Sequence, residues 1–205
     1  MLIEAEKRTL RHSVKIVEAL EWSPEKPETT IVVVVGGNVV DLVSPLARLL
    51  MDKFCVIGIS PVSVDDLVAS VKSFDEPVVL LAQGAVGKLA CEASLQATAS
   101  IKALVLADYA PQPGSVNHRS VKVPALVFHG RESAAETHAQ AVLVHEEIPG
   151  SQIIELDNCG RLPTKHCPTE LSESIRWFLD ELGKPFMEFE DFPGSDKEPV
   201  DPKAG

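Results

Sequence analysis

The residues of this chain with the most chemistry open to them fall in three short stretches. Gly36-Gly37-Asn38 follows the β-branched run Ile31–Val35, and Gly84-Ala85-Val86 lies between the apolar run Val78–Leu81 and a helical pattern. Backbone N–H groups at such strand–turn–helix junctions have no partner within the helix and can donate to a small anion. Gly36, Gly37, Asn38, Ala85 and Val86 are therefore candidate anion-binding positions. The third stretch carries Cys159, Arg161, His166 and Cys167. A Cys/His nucleophile pair or a zinc site is the sharp reading there, but zinc commonly takes four ligands with paired C-x₂₋₄-C spacing. That spacing is missing, so these read as ordinary loop residues and no metal or other cofactor is assigned. Cys55 sits in a strand-like run and Cys91 in a helical pattern. All four cysteines read as buried free thiols by default. His118, Arg119 and His138 read as solvated, and His129, ending an apolar run, as packed or hydrogen-bonded. Ser60 and Ser94 have no pattern that places a base beside them.

The elements that must position these groups alternate along the chain. Val14–Glu21 reads as a strand preceded by a short one at Lys7–Arg11, and Ile31–Val35 as a strand buried on both faces. Ser44-Pro45 predicts a helix start, with Ser as N-cap and Pro at the first helical position. Strands are expected at Cys55–Gly58, Val78–Leu81, Ala103–Ala107, Ala125–His129 and Gln152–Leu156. Helices are expected from Ser63 (its cap, with Asp65 and Asp66 in the first turn), over Val86–Ala97, Ala134–Glu147 and Thr169–Leu182, with Gly183 as C-cap. This alternation predicts βαβ units and a mostly parallel twisted sheet of about 7–8 strands with helices on both faces.

Length and charge narrow the function classes. A chain of 205 residues with 45% hydrophobic residues holds one α/β domain, expected over residues 1–183, and an acidic, Pro-containing tail over 184–205. A formal net charge of −11 speaks against a phosphate-backbone binder, so no nucleic-acid partner is expected. No apolar run approaches the length of a membrane span, and the charged N-terminus lacks a signal-peptide core. The expectation is a cytoplasmic protein with no membrane span.

Set in that order, the residues resemble the α/β-hydrolase fold superfamily over roughly residues 7–182. Val121-Lys-Val-Pro-Ala-Leu-Val-Phe-His129-Gly130 is similar to the family's "V-P-x-L-V-x-x-G" strand. Asn158-Cys-Gly-Arg161-Leu-Pro163 through Cys167-Pro168 resembles its "G-A-G-H-L-P…x-P" loop, and Trp177-Phe178-Leu179 falls in the final helix at the usual distance. Gly36-Gly37 stands where the family has the His-Gly that leads into the oxyanion loop. The segment Ala82-Gln-Gly84-Ala-Val86 lies where the G-x-S-x-G nucleophile elbow would be.

The resemblance places a nucleophile, an acid and a base at Gly84, Ser133 and Arg161, and none of the three can fill its role. Glycine has no side chain. A serine cannot carry the charge that stabilises an imidazolium, although neighbouring Glu132 could substitute by a register shift. Arginine stays protonated and cannot accept a proton. The connection Asp108–Lys122 is also too short for the helical lid that the family often inserts. These substitutions imply a lidless pseudo-hydrolase with no catalytic residues, acting as an interaction or scaffold module for other proteins. Two alternatives stay open. One is a small esterase, thioesterase or deacylase with a relocated nucleophile. The other is a small-molecule site in which Arg161 joins the glycine-bearing turns to hold a carboxylate or phosphate.

Overall fold

The computed structural model describes residues 5–12, 15–112 and 114–182. Eight strands form one sheet: β1 (Glu6–His12), β2 (Lys15–Trp22), β3 (Thr30–Val34), β4 (Cys55–Ile59), β5 (Val78–Gln83), β6 (Ile101–Ala107), β7 (Ala125–Gly130) and β8 (Gln152–Leu156). Their spatial order is β1-β2-β4-β3-β5-β6-β7-β8. The β1–β2 hairpin joins β4 antiparallel, and every pairing from β4 to β8 is parallel. The expected fold class is therefore the one observed. The tail 184–205 and the expected cap at Gly183 lie outside the described residues.

Helices cover both faces. α1 (Val39–Leu50) and α6 (Pro168–Leu182) pack on one side, while α2 (Val64–Lys72), α3 (Gly87–Gln96) and α4 (Ala135–Glu147) pack on the other. Such a sheet must be apolar on both faces, and the period-2 alternation shows how. In β3 and the residue after it, Val32 and Val34 enter the core under α2–α4, whereas Ile31, Val33 and Val35 enter the core under α1 and α6. All five are fully buried. No helix among the described residues is long and apolar enough to cross a membrane.

One helix start differs from expectation. α1 begins five residues before Ser44: Asn38 is the N-cap, its side-chain oxygen accepting from the Asp41 N–H at 3.2 Å. Asn caps as well as Ser does. Pro45 then falls inside the helix, where its missing N–H removes the bond to the Asp41 carbonyl. Burial of Val43, Leu46, Ala47 and Leu50 against the sheet offsets that loss. The expected Ser63 cap of α2 is present, with Ser63 Oγ accepting from the Asp66 N–H at 3.2 Å.

The fold creates a crevice at one place. After β3 the chain crosses to β4 on one side, then returns past β3 to β5 on the other. The carboxyl ends of β3 and β5 therefore mark a topological switch point, where open α/β sheets bind their ligands. Gly36 follows one of these strands and Gly84 the other. Between β6 and β7, the described residues of the connection form only a single 3₁₀ turn, His118–Ser120.

Candidate functional site

A cleft of about 490 Å³ opens at the switch point, and Gly36, Gly84, Ala85, Val86 and Arg161 all line it. Four of the six expected anion-site residues fall there with the position of the nucleophile. A Cβ placed on Gly36 would sit 3.4 Å from Val86 Cγ1, which shows how closely the two turns meet. Asn38 does not join them. It caps α1 and lines a separate cleft with Val40 and Ser60, next to the β1–β2 hairpin. Gly37 precedes that cap and does not line the Gly84 cleft.

Gly84 adopts φ +66° between β5 and a 3₁₀ turn that runs into α3. Side chains rarely take this conformation, and glycine does so without cost. It is the backbone of a sharp strand-to-helix elbow, with nothing projecting from its apex. A Cβ there would meet no atom within 4 Å, so the apex faces open space. The N–H groups of Ala85 and Val86 lie in the first turn of the helical segment. They are the donors with which such an elbow could hold an oxyanion or a carboxylate.

Arg161 lies on the arc between Cys159 and the short helix α5 (Pro163–His166). It is exposed, lines the cleft and forms no hydrogen bond or ion pair with another described residue. Thr164 ties this loop to the elbow from the far side. Its N–H and hydroxyl donate to Gln83 Oε1 at 2.9 and 2.8 Å, next to Gly84 in sequence. Gln83 is buried, and Thr164 supplies the partners that its amide oxygen needs there.

Ser133 does not stand in the cleft. It is buried beneath it, and its hydroxyl donates to Asp108 Oδ1 at 2.8 Å. The carboxylate of this site is thus Asp108, at the end of β6, and Asp108 lines the cleft. Glu132 does not substitute, because it is exposed and outside the cleft. Asp108 takes φ +50°, a conformation that Asp tolerates better than most residues, and its N–H donates to the Phe128 carbonyl at 2.7 Å. That positive φ leaves no mark in the sequence, where Asp108 reads only as the first residue of the β6–β7 connection. His129 Nδ1 is 3.2 Å from the same carboxylate oxygen. The ring is fully buried, but neither nitrogen is aligned for a hydrogen bond with a described residue. In this cluster the carboxylate bridges Ser and His. A serine nucleophile would need the His between them.

The cysteines and histidines correct the sequence reading further. Cys55 and Cys91 are buried free thiols, as expected. Cys159 and Cys167 are bonded to each other as a disulfide, which also removes them as thiolate ligands. Their spacing across a loop, with Cα atoms 5.8 Å apart, is within the range a disulfide spans. His118 is buried, not solvated: Nδ1 is 2.7 Å from Glu147 Oε2 and Nε2 is 3.3 Å from the Tyr109 hydroxyl. This array pins the β6–β7 connection to α4. His138 is half-exposed and pairs with Glu155 at 2.9 Å. Ser94 is buried and donates to the Cys91 carbonyl at 2.7 Å, so it is committed to its own helix.

Burial also sets the titration of this core. It pushes the Cys91 thiol up to about 12, with the nearby Glu92 carboxylate adding to the shift. The Tyr109 phenol is pushed well above its ordinary value, again chiefly by burial. Neither group is a nucleophile at neutral pH.

No protein-family model matches the chain, and no curated protein sequence matches it. Solved structures do share its architecture. A serine hydrolase of carbazole degradation (CarC enzyme) superposes with a TM-score of 0.74 at 14% identity, over 86% of this chain and 99% of that one. The 2-hydroxy-6-oxo-6-phenylhexa-2,4-dienoate hydrolase from Rhodococcus sp. strain RHA1 gives 0.74 at 11% identity, over 87% and 100%. A thermophilic esterase from Thermogutta terrifontis with malate bound gives 0.71 at 13% identity, over 89% and 100%. At such identities the likeness shows the fold and nothing finer. The chain has the α/β-hydrolase fold.

Proposed function

We propose that this protein does not perform acyl transfer at its elbow, and that the cleft at Gly84 instead binds a small anion, a carboxylate or phosphate. The observation that carries the reading is the pairing of an empty apex with a free cation. Gly84 presents no side chain, and Arg161 lines the same open cleft without a partner among the described residues. A guanidinium that merely filled a vacated site would be expected to pair with the nearby Asp108 carboxylate, and no such pair is formed. Arg161 and the N–H groups of Ala85 and Val86 form a donor set suited to a carboxylate or phosphate. Without a lid the ligand stays partly solvated, so affinity is modest and falls with added salt.

Binding and catalysis are separable by experiment. Malate, the dicarboxylate bound to the Thermogutta esterase, is a suitable calorimetric probe. One molecule per chain is expected to bind, and Arg161→Gln to weaken it by about tenfold to a hundredfold, the worth of a hydrogen bond to a charged group at roughly 1.5–3 kcal/mol. Wild-type turnover of p-nitrophenyl acetate is expected to match that of Gly84→Ala. Malate binding that ignores Arg161→Gln would overturn the anion reading. Ester turnover that disappears on replacing a Ser, Thr or Cys would favour an esterase with a relocated nucleophile. Within the cleft the hydroxyl to replace first is Thr137.

A further inference from the structure

We infer that Cys159 and Cys167 form a thiol–disulfide exchange site that locks or frees the arc carrying Arg161, and so sets the affinity of the cleft; the affinity part rests on the anion-binding reading above. The argument begins with how the arc is held. Cys159 is fixed on one side, its carbonyl accepting from the Glu132 N–H at 3.0 Å. The carbonyl also lies so close to Gly130 at the end of β7 that a Cβ there would overlap it. On the other side, Thr164 is fixed to Gln83. Between these points, Gly160, Arg161 and Leu162 donate no backbone hydrogen bond to another described residue. The disulfide closes this arc covalently at its base, and Arg161 and Leu162 both line the cleft. Cutting the bond removes the covalent tie and leaves the arc held by noncovalent contacts alone, at Cys159 on one side and at Thr164 on the other.

Exchange proceeds with a dithiol reductant of the thioredoxin or dithiothreitol class. Cys159 is fully buried and Cys167 is slightly exposed, so the attacking thiolate reaches the Cys167 sulfur. The S–S bond breaks, Cys159 leaves as a thiolate, and a mixed disulfide forms at Cys167. The reductant's second thiolate then attacks its own sulfur, and Cys167 leaves as a thiolate. Two electrons and two protons pass from the reductant to the protein, and the reductant departs as a disulfide. Because Cys167 is only slightly exposed, the first attack requires the arc to open, so exchange and arc position are coupled.

The coupling is reciprocal by linkage. If reduction weakens malate tenfold, saturating malate makes the disulfide tenfold harder to reduce, which is about 30 mV for a two-electron couple.

The test uses the full chain, equilibrated in oxidised and reduced dithiothreitol mixtures. Thiols are counted by mass after denaturing alkylation, and hydrogen exchange is read over residues 159–164 and 83–86. Reduction is expected to add two alkylated thiols and to raise exchange over both segments, with malate bound about tenfold more weakly. The C159S/C167S variant should behave as the reduced form. If that variant does not fold, the reduced wild-type chain supplies the same reading. Unchanged exchange over 159–164 on reduction overturns the inference, whatever malate does. An arc that opens while malate binds both forms equally overturns the link to the cleft. An arc that opens while malate binds neither form overturns the anion reading and leaves the exchange site standing.

Discussion

Restoring the missing side chains offers the most direct check on how the elbow is built. Gly84→Ser places a hydroxyl at an apex where a Cβ meets no atom within 4 Å, so the substitution adds no overlap. Its cost is the left-handed backbone alone, at φ +66°, about 1–2 kcal/mol for a residue with a Cβ. For a chain of this size each kcal/mol lowers Tm by about 2–4 °C, so the variant should melt roughly 2–8 °C below wild type. The hydroxyl by itself remains inert, because Arg161 cannot take its proton. Adding Arg161→His supplies a base on the same arc, and Asp108 supplies a buried carboxylate at the cleft floor. General base catalysis is worth about 10²–10⁴-fold. The double variant is thus expected to hydrolyse p-nitrophenyl acetate at least about a hundredfold faster than Gly84→Ser, with an acetyl group detectable on the protein by mass spectrometry. Asp108→Asn in that background should remove most of the gain. A double variant that folds normally and acquires no acetyl group would refute the claim that the elbow geometry survives intact.

Other perturbations test the supports around the site. Asp108→Ala leaves the buried Ser133 hydroxyl without its acceptor, and an orphaned group of this kind costs about 1–3 kcal/mol. Urea unfolding should show that loss, and the Asp108→Ala/Ser133→Ala double variant should regain part of it. Gly130→Ala drives a methyl group into the Cys159 carbonyl and should destabilise by about 1–3 kcal/mol, read from the same unfolding curves. The alkaline limb of stability has a definite sign. Between pH 9 and about 12 the Cys91 thiol ionises in the unfolded chain but keeps its proton in the folded one. Stability is therefore full below pH 9 and falls as pH rises, by about 1.4 kcal/mol per unit for this group. Tyr109 adds a loss of the same sign above pH 10. Unfolding midpoints at pH 8, 9, 10 and 11 measure the slope, and a flat profile, or one that Cys91→Ala leaves unchanged, would contradict the assignment.

Most of the scaffold is legible from local pattern, because a strand buried on both faces has few other ways to read. Ile31–Val35, Val78–Leu81 and Gln152–Leu156 lie within a residue or two of β3, β5 and β8. Misreadings cluster where two residues offer the same local chemistry, or where a distant partner decides. Asn38 and Ser44 are both good caps, and packing of α1 on the sheet chose the earlier one. His118 looks like any loop histidine until Tyr109 and Glu147 close around it. Asp108 is the more instructive case. The spacing rule points past β7 to Ser133, while the carboxylate arrives from β6 through a positive φ and a hydrogen bond spanning 25 residues. The disulfide escaped for a related reason. Cys167 follows Cys159 by eight positions, and only the fold of the intervening arc and α5 brings them together.

The strand order also governs what the chain can do while it is being made. The central strand, β3, has both of its neighbours, β4 and β5, later in sequence. The β1–β2 hairpin joins the sheet only through β4. A nascent chain that has emerged as far as residue 77 holds β3 with one flank bare, and that flank is a row of fully buried valines in the finished protein. From β5 onward each new parallel strand adds to the growing edge in order, so assembly can keep pace with synthesis. Closure comes last, when Leu171, Ile175 and Phe178 of α6 cover the face that α1 began to bury more than a hundred residues earlier. Premature termination anywhere before α6 would release a sheet with that face open, a species prone to aggregate or to occupy chaperones.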